Sequence, residues 1–138
     1  MSTRTLYRLA AILIVLFDLG HTAGYPWSDP AWGVDLRSIQ ATHFDVFGFS
    51  RTYWHFYIGF GLFVSAFLLL AAVVAWELGN VRSEAARLLR GTAWALALCF
   101  VGVSILSWMY FFTIPLVFSI LIAICLTLAA WRSASPPQ

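Results

Sequence analysis

Asp18, His21 and Thr22 fall at i, i+3 and i+4, so a helix puts all three on one face. A carboxylate beside an imidazole is an acid–base pair, the acid orienting or charging the ring. The setting makes the trio informative. The apolar run LAAILIVLF leads straight into it, and Asp18 lies seven residues before Tyr25, about 10 Å of helix at 1.5 Å per residue. An acid at that depth in an apolar span is costly and by default faces a partner or a wet cavity. The remaining polar chemistry follows closely. Residues 18 to 61 hold all three histidines (His21, His43, His55), four of the six acidic residues, and Arg37 and Arg51.

Asp18 and His21 are accordingly the catalytic candidates, although the residues leave open whether the chain is an enzyme. Asp18, His21, Thr22, His43, Arg51, Tyr53, His55 and Tyr57 are the ligand-binding candidates. The plain structural alternative for Asp18 is an ion pair with Arg51 or Arg37 that fixes helix packing. Downstream of Arg51 two helix faces must be kept apart. At about 100° per residue, Tyr53, Tyr57, Gly61 and Ser65 share one face, while Arg51, His55, Gly59, Leu62 and Ala66 share another. Gly61-x-x-x-Ser65 is a small-residue packing signal that directs the tyrosine face at a neighbouring helix. Arg51 and His55 then face another neighbour, the loop, or lipid headgroups. The bland account of Tyr53, Trp54 and Tyr57 is an interfacial aromatic belt. Imidazole and carboxylate ligands for a metal are present, and His21 with His55 suggests bis-histidine haem ligation. No spacing matches a ligand motif such as HExxH, so no metal or cofactor is assigned.

The elements that must carry these residues are membrane spans. The chain of 138 residues is 62% hydrophobic and 10% charged, against about 45–50% and 25% in soluble domains. Its eight basic residues are all arginine. With no lysine, Schiff-base chemistry is excluded. The arginines are dispersed around apolar runs, which argues against nucleic acid as a partner. Cys99 and Cys125 lie in separate apolar runs without a CxxC motif and read as small buried apolar residues.

The fold expected is all-α, a single polytopic membrane domain over residues 1–138 built as a four-transmembrane-helix bundle. The spans are placed at about 6–25, 53–78, 88–109 and 114–131. A signal peptide competes for the first span, but Asp18 and His21 stand where such a peptide is uncharged. The outer loop, 26–50, is expected to hold a short interfacial helix starting at Asp29-Pro30 and broken at Gly48, with Ser50 capping the second span. Gly79-Asn80 is read as that span's stop and Ser83 as the cap of the third helix. Pro115 sits in the first turn of the fourth.

Six arginines lie in the N-terminus, the second loop and the tail, and two in the first loop. That bias places both termini in the cytoplasm and the 26–50 loop outside. The strings GHTAGYPW and THFDVFGFSRTYWHFYIGFGL, with the Pro115-containing fourth helix, resemble an uncharacterised group of small four-helix bacterial membrane proteins. The resemblance covers most of the chain. It implies four spans in a bacterial inner membrane, and it carries over no activity and no site residue.

Three functions compete. The first is a pocket opening outwards for a lipid-like or small hydrophobic ligand, lined by Asp18, His21 and Thr22 and closed by the loop. The second is an accessory or assembly protein pairing with another membrane subunit or with copies of itself. The third is a small proton-coupled exporter, from whose usual pattern the long first loop departs.

Overall fold

The computed structural model describes residues 1–24 and 35–134. Among these residues eight elements follow in order: α1 (Thr3–Gly24), α2 (Leu36–Ala41), β1 (His43–Val46), β2 (Phe49–Thr52), α3 (Tyr53–Asn80), α4 (Ser83–Ala86), α5 (Arg90–Tyr110) and α6 (Thr113–Ala134). Helices α1, α3, α5 and α6 are each long and apolar enough to cross a membrane. The fold is the all-α, four-span bundle that composition demands, because only helices or closed barrels satisfy every backbone group in hydrocarbon. The chain resolves into two compact units, Met1–Phe17 with Leu68–Gln138, and Asp18–Phe67.

The first unit holds the core. Ile14 of α1 and Ile122 and Leu126 of α6 are fully buried, together with Ala75 and Ala129. Phe17 stacks on Phe118 with ring centroids 5.7 Å apart. The small residues matter here. Lipid tails are as apolar as leucine, so helices associate through close packing and interhelical hydrogen bonds rather than through escape from water. The large apolar side chains that remain exposed, such as Leu69, Leu70, Leu98 and Ile105, are what a bilayer-facing surface requires. Arg8 joins α1 to the end of α3, donating to Asn80 Oδ1 at 3.2 Å and lying 5.0 Å over the Trp76 ring.

Helix α3 ends at Asn80, within the Gly79-Asn80 stop, but Gly79 has a second use: it is itself still helical, and a Cβ there would lie 3.3 Å from Tyr7 Cβ and 3.4 Å from the Arg4 carbonyl oxygen. The glycine serves the approach of α1. Ser83 is a correction: it lies inside α4, whose N-cap position belongs to Arg82, and α5 starts later, after Leu89. Pro115 lies in the first turn of α6 as expected, where its missing N–H costs nothing.

The second unit departs most from the expected loop. The anticipated helix start at Asp29-Pro30 lies outside the described residues. The short loop helix is α2, capped by Asp35, whose carboxylate accepts from the amides of Arg37 (3.1 Å) and Ser38 (3.4 Å). It ends by Thr42, and an antiparallel hairpin replaces the remainder, with Phe44 facing Arg51 and Val46 facing Phe49. The reason is in the spacing. Phe44 and Val46 alternate with His43 and Asp45, and the burial alternates with them, which is the period of a strand. Gly48 turns this hairpin rather than breaking a helix. Phe47 and Gly48 take φ values of +49° and +84°, the signature of a two-residue type I′ turn. Ser50 therefore lies in β2, and the cap of α3 falls to Thr52.

Candidate functional site

Two sites emerge in the second unit, on different faces of α3. The first is a polar seam. Thr22 Oγ1 donates to Asp18 Oδ1 at 3.2 Å, one turn back on α1, and lies 2.6 Å from Ser65 Oγ on α3. With the Thr22 proton directed at Asp18, the Ser65 hydroxyl donates to Thr22. His21 Nε2 lies 3.1 Å from the Gly61 carbonyl oxygen. A carbonyl only accepts, so Nε2 carries the proton. Gly61 and Ser65 thus receive α1, as the small-residue spacing implied, and Gly61 is buried. The shared face of Asp18, His21 and Thr22 is used to join two helices. Among the described residues no arginine pairs with Asp18, so the ion pair with Arg37 or Arg51 is not formed.

The second site is a shallow, open groove of about 210 Å³ on the surface of α3, lined by Arg51, His55, Phe56, Gly59, Phe60 and Phe63, with Phe60 and Phe63 exposed. His55, Gly59 and Phe63 are successive i+4 positions on α3 and form one stripe, and Arg51 of β2 lies just before the helix, so the groove is polar at the start of α3 and apolar further along. The Arg51 guanidinium donates to the Ser50 carbonyl at 2.8 Å and lies 5.3 Å over the Phe49 ring. No carboxylate among the described residues pairs with it. Gly59 supplies depth: a Cβ built there meets nothing within 4 Å.

His55 is fixed by a reciprocal pair of bonds at the helix start. The Thr52 amide donates to His55 Nδ1 at 3.1 Å, and the His55 amide donates to Thr52 Oγ1 at 3.2 Å. This is a capping box with histidine at the position usually held by Glu or Gln. Thr52 is buried and locks the junction between hairpin and helix.

The remaining candidates make other contacts among the described residues. His43 Nδ1 lies 3.1 Å from Ser50 Oγ across the hairpin. Tyr53 packs against Phe44 at 5.0 Å, and Tyr57 stacks on Trp54 at 5.2 Å, as aromatic-belt residues do. Among the described residues no three His, Cys, Asp or Glu side chains gather as metal ligands. Cys99 and Cys125 are both free thiols, Cys125 buried and Cys99 exposed.

Sequence reasoning missed Thr52, Phe56, Phe60 and Phe63. The i+4 stripe from Arg51 to Gly59 was readable and extends directly to Phe63. Thr52-x-x-His55 escaped notice because the capping pattern is sought with Glu or Gln in its last place. No family model, curated protein or solved structure matches this chain.

Proposed function

We propose that this is a multi-pass protein of the bacterial inner membrane that binds a lipid-like amphiphile in the groove on α3. The observation that carries the reading is the groove's polarity. It runs from a guanidinium and an imidazole to a glycine notch walled by three phenylalanines. That sequence of surfaces matches a molecule with a polar head and an apolar chain. At about 210 Å³ the groove is smaller than the roughly 300–1,000 Å³ of compact drug-sized sites, so it takes the head and the first part of one chain and leaves the rest in the bilayer. The ligand therefore sits beside Arg51 and His55 and away from the Asp18 seam. Purified protein titrated with lipid in native mass spectrometry should show one saturable, tightly held lipid per chain. A folded chain that carries only a statistical spread of lipids would defeat the reading.

The arginine distribution supports cytoplasmic termini and an external hairpin. With Cys99 and Cys125 replaced by serine, a Ser38→Cys variant should label from outside in intact cells. Labelling only after lysis would invert the topology.

A second reading, an accessory subunit that docks on another membrane protein, is supported by Phe47. It is 98% exposed at the hairpin tip and holds a left-handed backbone, a conformation that costs a bulky residue roughly 1–2 kcal/mol. Asn is suited to this turn position, so Phe47→Asn should raise stability by about 1 kcal/mol. On the accessory reading the same variant loses a partner that co-purifies with the parent chain. Unchanged co-purification would remove the tip from any interface.

A further inference from the structure

We propose that the headgroup taken by the α3 groove is the phosphate of a glycerophospholipid, held by Arg51 and by the Nε2–H of His55, with an acyl chain over Gly59. This rests on reading the groove as an amphiphile site and adds the chemistry of the head. The argument begins with a backbone amide. The Thr52 N–H can only donate, so His55 Nδ1 must be bare. The neutral imidazole then carries its proton on Nε2. Among the described residues that nitrogen has no partner, and His55 lines the groove.

The residue type at this position is telling. Glu would complete the same capping box with equal ease, but would set a negative charge beside Arg51. Histidine performs the cap and leaves a hydrogen-bond donor in its place. Arg51 has five N–H donors in a rigid fork and one is committed to the Ser50 carbonyl. The start of α3 adds the positive end of a 28-residue helix dipole. The polar end of the groove thus presents donors and positive charge with no side-chain acceptor on its lining, which selects an oxyanion. A phosphate diester accepts from a guanidinium in charge-assisted bonds. The apolar wall begins at Phe56, the residue after His55, and continues through Gly59 and Phe60 to Phe63. From residue 53 to 63 this is about 15 Å of helix. That length lies within a span, so the chain is that of a membrane lipid and the phosphate is its own.

The experiment is a native mass spectrometry titration of the full chain in detergent with phosphatidylglycerol and with diacylglycerol of the same acyl chains. Phosphatidylglycerol should bind about tenfold tighter or more, the effect of charge-assisted bonds to one phosphate. His55→Glu keeps the capping box and hence the helix start, while it replaces the donor with a negative charge. It should erase that preference, and Arg51→Gln should weaken it by a similar factor. Diacylglycerol binding as tightly as phosphatidylglycerol would overturn the phosphate assignment and leave the amphiphile groove standing. Failure of both lipids to bind would overturn the groove itself. Inorganic phosphate that binds as tightly as phosphatidylglycerol would show a free-anion site and remove the acyl seat. Unchanged selectivity in folded His55→Glu would take His55 out of the proposal.

Discussion

Leu126→Ala should lower the stability of the folded bundle by about 2 kcal/mol, while Leu128→Ala on the same helix changes it by less than about 0.5 kcal/mol. Leu126 is fully buried and Leu128 is exposed. In soluble cores, Leu→Ala costs about 2–5 kcal/mol, part of it lost hydrophobic transfer and part the cavity. In a bilayer the transfer part nearly vanishes, because the alternative environment of the side chain is equally apolar. The cavity part survives, which puts Leu126 at the low end of the range. Leu128 leaves no cavity when truncated, since lipid fills the space. Reversible unfolding in mixed micelles measures both. Equal losses at the two positions would mean that α6 does not present the face that the buried cluster assigns to it.

Thr22→Val should be the most damaging isosteric change in the second unit. It removes the hydroxyl that donates to Asp18 and pairs with Ser65 at 2.6 Å. Interhelical hydrogen bonds in membranes average about 0.6 kcal/mol, and two half-buried groups are left short of a partner. A loss of about 1–2 kcal/mol follows. Asp18→Asn should cost less than about 0.5 kcal/mol, because Asn Oδ1 still accepts from Thr22. The two variants separate a hydrogen-bonded seam from a buried ion pair. Breaking an ion pair costs about 3–5 kcal/mol and is rescued by removing the orphaned arginine. A large loss in Asp18→Asn, restored by Arg51→Gln or Arg37→Gln, would reverse the assignment of Asp18.

The spans were legible because apolar run length in a bilayer leaves the backbone no alternative to helix. The α1–α3 contact was legible as well: Gly61-x-x-x-Ser65 marks a close approach, and the structure seats His21 and Thr22 on it. What the Asp18 face is for was not. Its spacing suggested a pocket lining, but i, i+3, i+4 spacing reports a shared face and is silent about whether the face is wet or packed. Gly79 illustrates the same ambiguity, since glycine near a helix end serves equally as a stop or as a contact, and only the 3.3 Å approach to Tyr7 reveals the contact. The hairpin was hidden for another reason. Each strand is only four residues long, too short for its alternation to stand out, and Phe-Gly is a poor turn signal beside Asn-Gly. The groove was half visible, as the stripe Arg51, His55, Gly59, but its walls depend on the rotamers of Phe56, Phe60 and Phe63, which no spacing encodes.

The measurement that bears most directly on the amphiphile groove is lipid binding by the Gly59→Leu variant. Gly59 is the notch between the polar head and the aromatic wall. A Cβ there meets nothing within 4 Å, so leucine fills the groove without straining the helix. Leucine is also the better helix former, so stability should hold or rise slightly. Titrated with phosphatidylglycerol beside the parent chain, the variant should lose the saturable one-lipid species and keep only weak, non-saturating adducts. A Gly59→Leu chain that still holds one lipid with the affinity of the parent would contradict the account and place the binding site elsewhere.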